Sequence, residues 1–198
     1  MTSKEGPKLR RGRLGGATGA TTGASAASAT MSMKTMRGVY CIGTYDRSSS
    51  TGWVQHPNPT PDMLPVGQYL EMGQNHMVDQ ILGFERKGMM LFKQYLFNTS
   101  MQLLHDFLAV DQVERLVYKG NYVPSGATAL YYAVHNAISE NEKLVAPQIA
   151  SGYKWQRVYW FFTDFDGDNS SESIHHITPA KTKAVVQAAL DTKQVTVF

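Results

Sequence analysis

The sequence predicts a doubly wound α/β domain, a mainly parallel sheet with helices on both faces. Three observations carry this. Short apolar runs rich in β-branched and aromatic residues (Val39–Tyr45, Met89–Asn98 and Val158–Thr163) alternate with longer stretches whose apolar residues recur at helical spacing. Strands separated by helices of that length are joined by crossovers, which makes neighbouring strands parallel. The chain of 198 residues, 42% of them apolar, is long enough for one domain with a real core plus appendages.

Residues 1–38 stand apart as a tail. They hold seven Lys/Arg and one acid, leaving 12 basic and 15 acidic residues in 39–198, so the net positive charge belongs to the tail and the expected domain is mildly acidic. The centre of the tail, LGGATGATTGASAASATMS, is Gly, Ala, Ser and Thr. It carries too little apolar surface to offset the entropy of ordering, and disorder is expected in isolation. Arg10, Arg11 and Arg13 could contact nucleic acid or another anionic surface. A basic, hydroxyl-rich, acid-poor segment also fits an organelle-targeting or assembly role, although its glycines and weak amphipathicity count against targeting. No apolar core of a secretory signal follows the arginines, and no window approaches a membrane span. The single cysteine, Cys41, lies inside the first apolar run, where a small core residue is expected rather than a nucleophile. A reducing, cytoplasmic setting is the expectation, with an organelle matrix or a virion as the alternative if the tail is a targeting or assembly segment.

The elements of 39–198 follow in order. Val39–Tyr45 is the first strand, ending at Asp46. TGWVQHPNPTPD is a loop by its prolines, and Thr60-Pro61-Asp62 signals a helix start, with Val66, Leu70, Met77 and Ile81 inward and Gly88 as the stop. Met89–Asn98 is the next strand, with Met101–His105 a short edge strand beside it. Val110–Tyr118 is expected as a short helix and Lys119–Ala127 as a loop. Thr128–Leu144 is an amphipathic helix with Leu130, Val134, Ala137 and Ile138 inward, and Val158–Thr163 is the most apolar strand. Thr178-Pro179 opens a last helix that runs to about Asp191, and Gln194–Phe198 begins a further strand.

Chemistry concentrates where strands end. After the first strand, Asp46, Ser48 and Ser50 stand at alternate positions, offering one carboxylate and two neutral oxygens at the C-terminal mouth of the sheet, where ligands of open α/β folds collect. That set suits Mg²⁺, which retains waters and takes only one or two protein carboxylates; a solvated Ser-rich loop would look the same. Two further loops fall at the same end: PSGATALYYAVHNAI, in which Thr128 precedes a helix, and FFTDFDGDNSS, with Asp164 and Asp166.

These three separated motifs, in this order, resemble the metal-ion-dependent adhesion site (MIDAS) of the von Willebrand factor A (vWA) domain family, most closely its bacterial and phage-type intracellular members. The resemblance covers about 39–198. It implies a Rossmann-like vWA fold in which Ser48, Ser50 and Thr128 bind the ion directly, and Asp46 and Asp164 bind directly or through water. It implies Mg²⁺, with Mn²⁺ and Ca²⁺ as alternatives, and an open coordination position for an Asp or Glu of a partner protein within a multi-protein assembly.

There are departures from the family's pattern. Phe165 stands where the family has Gly after the third-loop acid, so Asp166, which precedes Gly167, is the alternative ligand. The loop after Ser50 is longer than usual, and the sequence stops at what should be the fifth strand, before the family's last helix–strand–helix, as expected either of a shortened variant or of a fragment. Asp164, Asp166 and Asp168 also occupy alternate positions like the start of an EF-hand loop, but His175 stands at the twelfth position where Glu is needed. His175-His176 reads as a surface turn. Two other functions remain as alternatives: a structural subunit with a degenerate metal site, and a metal-assisted hydrolase. The second is disfavoured because no His or Lys in the motifs could serve a serine as base and no Walker loop is present, so a non-enzymatic binding module is the expectation.

Overall fold

A computed structural model describes residues 37–165, 167–168 and 175–198. Residues 1–36, and with them the tail and Arg10, Arg11 and Arg13, lie outside the described residues, as does Asp166. In chain order the elements are β1 (Arg37–Asp46), α1 (Val66–Leu82), β2 (Met90–Phe97), β3 (Met101–Ala109), α2 (Leu130–Ala150), β4 (Lys154–Phe162), α3 (Pro179–Asp191) and β5 (Val195–Val197). The strands form one sheet in the order β3-β2-β1-β4-β5. All neighbours are parallel except β2 and β3, which form an antiparallel edge. This is the expected doubly wound α/β architecture, with β1 starting at Arg37, just inside the stretch assigned to the tail.

Alternation along β1 sends its side chains to two different cores. Cys41 and Tyr45 pack with Phe92, Leu96 and Trp160 under α1, through Val78 and Ile81. Tyr40 and Ile42 pack with Tyr95 and Tyr159 under α2 and α3, through Ile138, Val145 and Ala189. Cys41 is buried as expected, and burial pushes its thiol pKa up to about 12. A strand apolar on both faces is what a central parallel strand requires.

Four expected boundaries move. The helix predicted from Thr60 begins at Val66, because Pro65 disfavours helical backbone at Leu64; Thr60 instead accepts a turn hydrogen bond from the Met63 amide at 3.1 Å. It ends at Leu82 with Gly83 as its cap, not at Gly88. α2 starts at Leu130, two residues after Thr128, and runs through Pro147 to Ala150. The helix expected over Val110–Tyr118 is only a single turn, Val110–Gln112. Beyond it the backbone amides take side-chain partners: Leu116 donates to Asn75 Oδ1 at 3.1 Å, Val117 to Asn121 Oδ1 at 2.8 Å and Tyr118 to Glu71 Oε2 at 3.1 Å. Two of these acceptors lie on α1, so tertiary contacts replace the helical ladder. By contrast α3 begins at Pro179 behind Thr178, whose hydroxyl accepts from the Lys181 amide as the cap signal predicts.

Candidate metal centre

The parallel register places Asp46 beside Phe97, and Tyr45 beside Phe162, so β1, β2 and β4 end at one level and release their loops together. The loops are then laced by backbone hydrogen bonds. Arg47 N–H donates to the Phe97 carbonyl (2.7 Å), Ser125 N–H to the Arg47 carbonyl (2.7 Å) and Ser49 N–H to the Gly126 carbonyl (2.8 Å). Gly126 adopts φ +76°, a left-handed conformation that glycine takes at no steric cost. It delivers Thr128 to the mouth just before α2 begins.

Within that frame Asp46 is fully buried at the end of β1. Its Oδ1 accepts from the Ser48 amide at 2.7 Å and its Oδ2 from the Thr163 hydroxyl at 2.8 Å. Burial pushes its pKa up, hydrogen bonds from Ser48 and Thr163 oppose the shift, and the nearby charge of Asp164 adds to it. A cation in the adjoining cleft would reverse that balance. Beyond Ser48 the chain turns through Ser49–Gly52, which brings the Ser48 and Ser50 hydroxyls to 3.0 Å from one another. The turn is pinned from below: Thr51 Oγ1 donates to the Ser48 carbonyl at 2.8 Å, and buried Tyr122 donates its hydroxyl to the Asp46 carbonyl.

A cleft of about 350 Å³ opens over these groups, lined by Ser48, Ser50, Trp53, Gly126, Ala127, Thr128, Gly167 and Asp168. The three hydroxyl residues predicted from the sequence therefore share one cleft, with buried Asp46 held to the Ser48 amide beside it. The third loop contributes Asp168, which also accepts from the Tyr131 amide at 3.1 Å and so ties this loop to the first turn of α2. Asp164 sits beside this group, close enough to act on Asp46, and its Oδ2 accepts from Gln55 Nε2 at 2.9 Å. Asp168 entered the sequence argument only as a calcium-loop position. The alternation Asp164, Asp166, Asp168 signalled a carboxylate here without singling one out. Trp53 and Thr163 had no signal at all, since both act through loop geometry.

The donor set fits a hard divalent cation. Every polar side-chain atom offered by the cleft lining is oxygen, apart from the indole of Trp53, and most are neutral. Among the described residues no three His, Cys, Asp or Glu side chains gather as a metal cluster, so a cation here would depend on the hydroxyls. His175 takes no part: it stacks on Tyr132 at 3.5 Å between ring centroids, and its Nε2 lies 3.0 Å from the Thr99 carbonyl. Among the described residues no helix is long and apolar enough to cross a membrane.

No family model matches the chain, and no curated protein matches it in sequence. Solved structures do match. The PilB minor pilin from Streptococcus sanguinis aligns with a TM-score of 0.50 and 14% identity over 64% of this chain and 30% of the pilin. The conserved hypothetical protein BatB from Bacteroides thetaiotaomicron aligns at 0.47 and 15%, over 81% of this chain and 64% of BatB. Proximal thread matrix protein 1 from the mussel byssus, a structure with a zinc-occupied MIDAS motif, aligns at 0.43 and 21%, over 81% and 34%. The chain thus spans less than a third of the pilin's length. Of these three the pilin reaches a TM-score of 0.50, and at 14% identity that likeness is one of fold: a mainly parallel α/β sheet covered on both faces.

Proposed function

We propose that this chain is a divalent-metal-dependent protein-binding module, non-enzymatic, whose cation captures an Asp or Glu of a partner protein in a larger assembly. The observation that carries the reading is the convergence of Ser48, Ser50, Thr128 and Asp168, from three loops, on one cleft above buried Asp46. Ser48, Ser50 and Thr128 would hold Mg²⁺ directly. Asp46 and a third-loop carboxylate would act directly or through water. Because three of these ligands are neutral hydroxyls, the ion keeps most of its charge, and a carboxylate completing its shell gains strongly. The described cleft lining has no imidazole or amine to serve as a base, which supports binding over hydrolysis.

One observation favours a second reading. Both oxygens of Asp46 already have protein donors, so the same residues could lock the loops with no ion at all. Mn²⁺ titration followed by electron paramagnetic resonance separates the two. The metal-binding module predicts one site, competed by Mg²⁺ and lost in Asp46→Ala and in the Ser48→Ala/Ser50→Ala double variant, with folding retained. Absence of binding into the ~10 mM range, or binding unchanged in both variants, would establish the structural reading instead.

A further inference from the structure

Two large aromatic side chains stand exposed at the candidate metal centre. Trp53, 67% exposed, lines the cleft itself, and Phe165, 77% exposed, falls in the chain between Asp164 and the lining residues Gly167 and Asp168. Single exposed apolar residues are ordinary. These two are set apart by how the backbone holds them. Trp53 N–H donates to the Ser50 carbonyl at 3.1 Å, and its own carbonyl accepts from the Val66 amide at 3.0 Å, so it is fixed between the serine turn and the start of α1. Phe165 N–H donates to Thr163 Oγ1 at 3.1 Å, the same hydroxyl that donates to Asp46 Oδ2. Its φ of +58° lies in the left-handed region, which an aromatic residue occupies at a cost. Gln55 Nε2 donates to Asp164 Oδ2 at 2.9 Å and joins the two segments that carry the rings. Both aromatics are thus anchored to residues of the site, where the first and third loops meet. The second loop gives the cleft only Gly126, Ala127 and Thr128, all small.

We propose that Trp53 and Phe165 select the partner: the cleft takes an Asp or Glu that has a bulky apolar residue two positions away in an extended segment. This rests on the metal-dependent reading above and names the partner chemistry for that same site. A cation attracts any carboxylate, so discrimination among acidic segments comes from what flanks the carboxylate, and the flank this cleft presents is aromatic. In an extended chain, residues two apart face the same way at a spacing of about 7 Å. A carboxylate directed at the ion therefore brings that neighbour down on the same side, against the wall that Trp53 forms. Trp offers a large contact area with few rotatable bonds and is prominent among residues that dominate interface energies. Because the backbone of Trp53 is held on both sides, little freedom is lost when a partner packs on the ring. A Lys or Arg two positions from the carboxylate could also stack on an indole, but the cation in the cleft would repel it.

The test uses the full chain, immobilised in Mg²⁺ and offered phage that display heptapeptides with a fixed central Glu and random flanks. Among phage released by EDTA, Phe, Tyr, Trp, Leu or Met two positions from the Glu should be enriched about ten-fold. Trp53→Ala combined with Phe165→Asn should abolish that enrichment; Asn accepts left-handed backbone, so the loop keeps its course. Mn²⁺ binding, followed by electron paramagnetic resonance, checks that the double variant retains the metal centre. EDTA-released phage without an apolar preference, or a preference that persists in the double variant, would overturn this inference and leave the metal-dependent reading standing. Loss of Mn²⁺ from the double variant would overturn it too, by making the rings supports of the metal centre. No EDTA-sensitive release would also overturn it, and absence of a Mn²⁺ site in the parent chain would overturn the reading on which it rests.

Discussion

Tyr45 shows how much a single buried atom can decide. Its ring packs under α1, and its hydroxyl accepts from Trp160 Nε1 at 3.0 Å and lies 3.4 Å from Gln94 Nε2, so strands β1, β2 and β4 meet at one oxygen. Burial pushes its pKa well up, which keeps the phenol neutral at any ordinary pH. Tyr45→Phe preserves the shape but strips two buried donors of their acceptor. Destabilisation of about 1–3 kcal/mol is expected in urea unfolding, and a value near zero would mean water fills the role. Tyr45 was legible in the sequence as an apolar strand residue, whereas its polar role was not, because Gln94 and Trp160 are distant in sequence and only the sheet register brings them together. The same holds for Asp46. Its place at a strand end was visible from the run before it, but its bond to Thr163 depends on β4 lying alongside.

At the scale of elements, the joint between α2, β4 and the start of β5 rests on a buried ion pair. Arg157, fully buried, donates Nε and Nη2 to Glu142 at 3.1 and 2.9 Å, and also reaches Gln194 and Thr192. Glu142 additionally accepts from the Tyr159 hydroxyl at 2.9 Å. Glu142→Ala leaves a buried guanidinium without its counter-charge and should cost about 3 kcal/mol or more, whereas Glu142→Leu with Arg157→Met should recover much of that loss. Thermal unfolding of the single and double variants checks both. A second joint, between α2 and α3, titrates. Burial, and then the cations of Lys181 and Lys143, hold the His135 pKa below its usual 6.5. The unfolded chain therefore binds the proton more readily, so this contribution to stability is present above pH 6.5 and is lost as pH falls below it. His135→Gln should flatten the stability profile below pH 6.5; an unaltered slope would assign the acid sensitivity to other groups. Thr178-Pro179 was read correctly as a helix start because a cap is local chemistry. The Val110–Tyr118 helix was misread because its amides are satisfied by Asn75 and Glu71 of α1, partners no local pattern reveals.

For the molecule as a whole, the proposed cation site would link binding to folding. If the cleft holds Mg²⁺ only when the three loops are assembled, free Mg²⁺ at a hundred times its dissociation constant stabilises the fold by about 2.7 kcal/mol. The melting temperature should then rise with Mg²⁺, fall back with EDTA, and respond to neither in Asp46→Ala. An equal response in that variant would locate the cation elsewhere. The asymmetry of the sheet is also a property of the whole: five strands carry two helices on one face and one on the other among the described residues.

The sequence by itself determined the class of fold, the central place of β1 and the end of the sheet at which the chemistry gathers. Those follow from periodicity, caps and strand termini, which are written into neighbouring residues. Only the tertiary structure decided that Asp168 lines the cleft with Ser48, Ser50 and Thr128, that Thr163 and Tyr122 donate to the carboxylate and the carbonyl of Asp46, and that among the described residues one half of a sheet face carries no helix. Each of these depends on which strands lie side by side. That choice is made by the packing of two cores, and no single stretch of chain encodes it.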